Sequence, residues 1–257
     1  MSLTNEQLRF LQNAVITAKQ LNIDNLIIEP GKLRAMDENQ TIVLYLDSNV
    51  PSFDFGSIGF NRLQAFAARF EIIRSTSGFM LEATTVTGDD NTIGYDKVDI
   101  KDKKSKQPMW VKILTMTGLN TSIEYRCANP GLIKAPKVRT DVDKYELSFD
   151  ETALSIIQKG KMAMKSEVVT ISSNSKGVQI ILTDENTDTL KYKFAKDVYD
   201  LIEEEHTNPT FSYNYDITNI ITIFKQQSEN VTFKITQRGF LAYIINDINV
   251  YVAPIKN

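Results

Sequence analysis

The order of helical and extended segments in this chain repeats, and that repetition restricts its fold more than any single motif does. In the first half, a segment of helical period leads through a hairpin of strands to the aromatic alternation Ser52-Phe53-Asp54-Phe55. A second helical segment follows, and then Ile73-Arg74-Ser75-Thr76-Ser77-Gly78-Phe79-Met80-Leu81. The second half gives helix, hairpin, Phe211-Ser212-Tyr213-Asn214-Tyr215, helix, and Ile235-Thr236-Gln237-Arg238-Gly239-Phe240-Leu241. Gly78-Phe79 and Gly239-Phe240 lie 161 residues apart. A period that long points to two duplicated domains rather than to a solenoid of short units. A chain of 257 residues has room for two cores.

Four segments carry apolar residues at helical spacing. Thr4 caps residues 5–20, where Leu8, Leu11, Val15 and Ala18 form one stripe. Residues 60–70 carry Leu63, Phe66, Ala67 and Phe70. Asp150 caps a segment with Ala153, Leu154, Ile157 and Met162, in which Gly160 is a candidate early stop. Asp216 caps residues 217–227, whose Ile220, Ile221 and Phe224 fit a helix, although an Ile-rich run also fits a strand. Runs rich in Val, Ile, Thr, Tyr and Phe predict strands at 26–28, 41–46, 79–86, 110–116, 122–126, 168–172, 178–182, 190–194, 231–236 and 241–245. Turn residues join them at Glu29-Pro30-Gly31-Lys32, Asn174-Ser175-Lys176-Gly177 and Thr236-Gln237-Arg238-Gly239. Residues 128–143, with Pro130, Gly131 and Pro136 and little periodicity, read as a connector between domains at 1–127 and 144–257. The expected class is α+β, two topologically similar domains, each with two helices packed on antiparallel sheets.

Composition argues against catalysis. The one cysteine, Cys127, forms no intramolecular disulfide, and one histidine, His206, builds no multi-histidine metal site. His206 stands between Glu203-Glu204-Glu205 and Thr207-Asn208-Pro209, as in a solvated loop. Cys127 follows Arg126, a neighbour able to lower a thiol pKa, but it has no evident histidine partner. Asp89-Asp90 sits beside Asn91 in turn chemistry. There is no phosphate-binding GxxxxGK[ST] and no GxGxxG after a strand. The expectation is a non-enzyme without cofactor or metal. A hydrolase assembled from distant carboxylates is one rival, and a β-rich phage assembly protein without DNA binding is another. No apolar run approaches the roughly 18 residues needed to span a bilayer, so no membrane partner is expected. The chain is expected to be soluble and to reside in a reducing compartment.

The net charge of -3 seems to disfavour nucleic acid until it is partitioned. Segments 5–20, 61–70, 152–165 and 217–227 hold Arg9, Lys19, Arg62, Arg69, Lys159, Lys161, Lys165 and Lys225 against one acid, Glu6. They sum to +7, which leaves -10 on the remainder. Amphipathic helices do show Lys and Arg to water, but they normally mix in Glu and Asp. A basic helical face suits phosphate contact without base readout.

With these features in place, the chain resembles the DNA sliding clamps, in the two-domain type of eukaryotes, archaea and T-even-like phages. The resemblance lies in the order of elements and in short stretches. Leu26-Ile27-Ile28-Glu29-Pro30-Gly31-Lys32-Leu33 runs into Arg34-Ala35-Met36-Asp37, similar to the family's small residue, Met and Asp before a strand. Residues 145–159 look like the strand and helix that open the second domain, and Asn249-Val250-Tyr251-Val252-Ala253-Pro254-Ile255-Lys256 is similar to the final strand ending in Ala-Pro. The chain departs from the cellular pattern over 94–118, where Lys101, Lys103, Lys104 and Lys106 look like an insertion, and in the connector. That drift suggests a viral or phage clamp.

The resemblance implies a homotrimeric ring whose helices line a hole around double-stranded DNA. Its implied partners are a DNA polymerase and a clamp loader ATPase. It also implies a place on DNA in the cytoplasm of an infected cell, or in the nucleus of a eukaryotic host. The DNA-facing residues would be the eight cations named above. Closure would use edge strands at 121–126 and 189–194. The partner pocket would use Met36, Gln40, Val43, Leu132, Ile133, Ala253 and Pro254. Leu132-Ile133, an apolar pair in a polar loop, serves either as docking surface or as a pin for the connector, and Met36 fits either a pocket wall or core filling.

Overall fold

A computed structural model describes residues 3–53, 56–75, 79–87, 109–136, 143–174, 177–195, 199–201, 210–225 and 231–255. The chain is α+β and divides into two units, residues 1–38 with 44–137, and residues 39–43 with 138–257.

The first unit opens with the main-chain N–H of Leu3 donating to Leu81 at 3.1 Å. Helix α1 (Asn5–Gln20) starts at Thr4 in a reciprocal capping box with Gln7. Strands β1 (Asn25–Glu29), β2 (Lys32–Met36), β3 (Ile42–Leu46) and β4 (Ile58–Phe60) follow, and β3 contains the division between units. Then come helix α2 (Leu63–Arg74) and strands β5 (Met80–Thr87), β6 (Met109–Gly118) and β7 (Thr121–Arg126). Their sheets run β3-β2-β1-β4 and β5-β6-β7.

The second unit holds β8 (Asp143–Phe149), α3 (Glu151–Met164), β9 (Val168–Asn174), β10 (Gly177–Thr183) and β11 (Thr189–Lys193). It continues with β12 (Tyr199–Leu201), β13 (Phe211–Asp216), α4 (Ile217–Phe224), β14 (Val231–Thr236), β15 (Leu241–Ile245) and β16 (Ile248–Val252). Its strand orders are β11-β10-β9-β13 and β12-β8-β14-β15-β16. The duplication expected from sequence is therefore topological. β3-β2-β1-β4 answers to β11-β10-β9-β13, and β5-β6-β7 to β14-β15-β16. Leu3 bonds to Leu81 where β8 pairs with β14.

Several boundaries differ from the sequence reading. Phe60 belongs to β4, paired with Leu26 of β1, and α2 runs on past Phe70 to Arg74. The alternation at Ser52-Phe53 forms no strand, because the Ser52 carbonyl accepts the Gln7 side-chain amide of α1 at 2.6 Å. Asp54, Phe55 and Gly78 lie outside the described residues. Gly160 does not end α3; it is buried where a Cβ would meet Leu182 at 3.3 Å, so it lets the helix lie close on β10. The Ile-rich segment is a helix, α4, its N-terminus capped by Asp216 accepting from Thr218 N–H at 2.7 Å. Burial otherwise follows period two, as in β16 and β10, whose inward residues alternate with half-buried ones.

Two tyrosines of β13 latch the β14–β15 turn. The Tyr215 hydroxyl donates to the Gly239 carbonyl at 2.7 Å, and the Tyr213 hydroxyl donates to that of Gln237 at 3.2 Å. Gly239 has φ +83 and lies under the Tyr213 ring, 2.5 Å from where a Cβ would stand. Gly31, at φ +71 in the β1–β2 turn, has open space around it. Gly239→Ala is expected to cost about 3 kcal/mol by clash plus strain, against about 1 kcal/mol for Gly31→Ala by strain alone, with urea midpoints as the measurement.

Candidate nucleic-acid interface and partner surface

Each unit carries its helices as a pair, α1 with α2 and α3 with α4. One lysine in each unit joins its pair. Lys19 at the end of α1 donates to Glu71 of α2 at 2.9 Å. Lys161 of α3 donates to the Thr218 hydroxyl on α4 at 2.8 Å and lies 3.0 Å from Glu167. Both cations are thus partly committed within their own unit.

Observed boundaries also change the charge count. Between Asn5–Gln20, Leu63–Arg74, Glu151–Met164 and Ile217–Phe224 the cations are Arg9, Lys19, Arg69, Arg74, Lys159 and Lys161. The acids are Glu6, Glu71 and Glu151, so the helices proper carry +3, not +7. The other expected cations sit at helix ends. Lys165 and Lys225 are C-caps, where a cation complements the helix dipole.

Arg62 stands at the N-cap of α2, an unfavourable place for positive charge. Two features accommodate it. Its guanidinium lies over the Tyr125 ring, 5.7 Å from the centroid. The cap itself comes from Asp24, whose carboxylate accepts from Gln64 N–H at 2.9 Å and whose carbonyl accepts from Leu63 N–H at 3.1 Å. Asp24 lies forty residues from Gln64, so no local pattern announces it. Arg69 folds back along α2 toward the Ala65 carbonyl at 3.4 Å. Arg9, Lys159, Lys165 and Lys225 are exposed, with no acidic partner among the described residues.

Of the expected partner residues, Met36, Leu132 and Ile133 belong to the first unit. Ala128 N–H donates to the Gly59 carbonyl at 2.9 Å, and the Asn129 side chain accepts from Gly131 N–H at 2.9 Å to cap a 3-10 turn, Pro130–Leu132. Ile133 rests against β4, its Cδ1 2.9 Å from where a Cβ on Gly59 would stand. Leu132 is 71% exposed. The pair therefore divides its roles: Ile133 pins the segment and Leu132 projects. Met36 is half-buried at the end of β2.

Gln40, Val43, Ala253 and Pro254 belong to the second unit. Gln40 is exposed with φ +59, and Val43, Ala253 and Pro254 are half-buried. Ala253 N–H donates to the Thr41 carbonyl at 2.8 Å, and Asn219 of α4 donates to the Thr41 hydroxyl at 3.0 Å. The expected edge strands are β7 and β11; β7 ends the sheet β5-β6-β7, and β11 ends β11-β10-β9-β13.

Arg126 does not activate Cys127: burial pushes the thiol up, and its N–H donates to the Lys112 carbonyl at 2.9 Å. Burial also raises Tyr125, to about 12. His206, Asp89-Asp90 and the Lys101–Lys106 cluster lie outside the described residues.

No protein-family model and no curated protein matches the sequence. Among solved structures, the chain is similar to PCNA from Thermococcus kodakaraensis, with a TM-score of 0.57 and 13% identity over 99% of each chain. The fold is thus the two-domain DNA-clamp fold, reached at low sequence identity.

A thiol held neutral by burial links stability to pH. Above the unfolded cysteine pKa, about 8.5, the unfolded state loses a proton that the native state keeps, so stability falls as pH rises, by up to about 1.4 kcal/mol per unit. Urea unfolding from pH 7 to 9, below the range where the raised tyrosines Tyr125, Tyr215 and Tyr243 add to it, is expected to show this decline, and Cys127→Ser to flatten it at a lower overall stability. In the native protein at pH 8 the thiol is expected to react slowly with an aromatic disulfide reagent.

Proposed function

We propose that this protein is a DNA sliding clamp: a ring that encircles duplex DNA and tethers a polymerase. The observation that carries the reading is the duplicated clamp fold with exposed cations, without an acidic partner among the described residues, on or at the ends of helices in both units, Arg9 in one and Lys159, Lys165 and Lys225 in the other. Two domains per chain make three chains per ring. The open edges of β7 and β11 are where copies join head to tail, a heterologous contact that closes when the rotation permits. The ring acts by topology and not by catalysis. Loading uses an ATPase partner, since the chain has no phosphate loop of its own.

Modest charge suits that role. Backbone charge recurs every ~1.7 Å along the duplex axis, so a diffuse set of cations sees a nearly uniform track and slides. The exposed Leu132 receives an apolar segment of the polymerase. The source is a phage or virus, and the ring works on DNA in the cytoplasm of the infected cell, or in the nucleus of a eukaryotic host.

Sedimentation should give about three times 29.1 kDa. Alanine at Arg9, Lys159, Lys165 and Lys225 together should lower polymerase processivity several-fold and flatten its salt dependence by roughly one log-log unit for each phosphate no longer neutralised. Lys19→Ala should act mainly on stability, through the Glu71 pair. A monomer at high concentration, or processivity untouched by the fourfold change, refutes the clamp.

A further inference from the structure

The outer face of β12-β8-β14-β15-β16 holds a cleft that neither the helices nor the open edges use. Strand register lays one row across it: Asp200, Glu146, Lys234, Ala242 and Tyr251. The adjacent row is broken. Ser148 and Thr232 pair between β8 and β14, their hydroxyls 3.0 Å apart, and Ile244 pairs with Asn249 between β15 and β16. The β14–β15 ladder holds only Lys234↔Ala242 and Ile235↔Leu241, so Thr232 and Ile244, next in register, are not paired. A cavity of about 440 Å³ opens there, with Thr232, Ala242, Ile244, Asn249 and Tyr251 in its lining.

Its two ends differ in chemistry. Ile244, 62% exposed, stands beside Ala242 and Tyr251 and makes one end apolar. The other end is acidic. Asp143 takes Lys234 at 3.4 Å, which leaves Glu146 exposed and without a cation among the described residues. On β14 Lys234 stands directly across from Glu146 and is the cation that Asp143 takes, and on β12 the residue in register with Glu146 is Asp200. Between the ends the β14–β15 ladder is interrupted.

We infer that this cleft docks an extended segment of a partner protein carrying a bulky aliphatic or aromatic side chain and, two to four residues on, a lysine or arginine. Strands lie about 4.8 Å apart, so Ala242 and Glu146, two strands apart, stand about 10 Å from each other; an extended segment rising about 3.3 Å per residue covers that in about three residues. The apolar side chain rests on Ala242, Ile244 and Tyr251, and the cation meets Glu146. An acidic segment is disfavoured by Glu146. Neither DNA nor ring closure enters, so the site stands or falls apart from the clamp reading.

The test uses the full chain and two fluorescent eight-residue peptides, one with a Leu and a Lys three positions later, the other with Glu in place of that Lys. Anisotropy should show the Lys peptide binding about fivefold more tightly, the size of one exposed charge attraction set against one repulsion. Ile244→Asp should abolish binding of the Lys peptide, and Glu146→Lys should transfer the preference to the Glu peptide. Glu146→Gln, an isosteric change at an exposed position, should erase the preference while leaving the unfolding midpoint in place. Equal binding of the two peptides, no binding of either, or a Lys preference that survives Glu146→Lys overturns the proposal.

Discussion

Aromatic side chains hold the second helix of each unit, α2 and α4, to the sheets, and the packing of each unit is built around that contact. In the first unit Phe66 of α2 meets Phe60 of β4 at 4.9 Å and Tyr125 of β7 at 5.0 Å, so one ring ties a helix to both sheets. In the second, Phe149 of β8 meets Phe194, Phe224 and Phe233 at 5.2 to 5.3 Å. Such pairs contribute about 0.5–1.5 kcal/mol each beyond their buried area. α1 and α3 instead bury small and aliphatic residues, Leu11, Ala14, Val15 and Ala18 in one and Ala153 and Ile157 in the other, and leave Arg9 and Lys159 exposed. The outer faces of the strands take the polar half of a period-two pattern, as in β14, where Thr232 and Lys234 are exposed.

Legibility in the sequence follows the distance over which each interaction acts. Caps that close within three residues, Thr4 with Gln7 and Asp150 with Ala153, stand in the sequence and in the structure alike. Period-two runs mark most strands, and the repeated order of elements marks the duplication. What escapes is nonlocal. The start of α2 depends on Asp24, and the loss of Ser52 from any strand depends on Gln7, forty-five residues away. Phe60 reads as helical until β1 claims it. The candidate site divides in the same way. Cations are visible as residue types, but Glu71, which binds Lys19, lies one residue past the expected end of its helix, and Tyr125 under Arg62 lies sixty-three residues off.

The smaller helix charge also bears on how a clamp would hold DNA. A protein that binds by affinity needs many fixed phosphate contacts, and each one steepens the salt dependence and deepens the well at every position. A closed ring needs few, because dissociation requires opening the ring and not merely breaking contacts. Net +3 on the helices, with Lys19 and Lys161 spent inside the units, would be small for an affinity binder and would suffice for a ring.

Duplication supplies a final comparison, since two copies of one topology ought to be equally regular. The sheet β5-β6-β7 pairs eight residues of β5 with β6, with one register shift. Its counterpart β14-β15-β16 pairs only two residues of β14 with β15, although the turn between those strands is latched by Tyr213 and Tyr215. The turn is therefore fixed while the strands beyond it part. Nothing in the fold demands this, because the first unit keeps the same ladder closed. Features common to both units, helix pairs and open edges, belong to whatever the duplicated fold does twice. A ladder opened in one unit alone, with Ile244 exposed at one end and Glu146 at the other, belongs to something the chain does once.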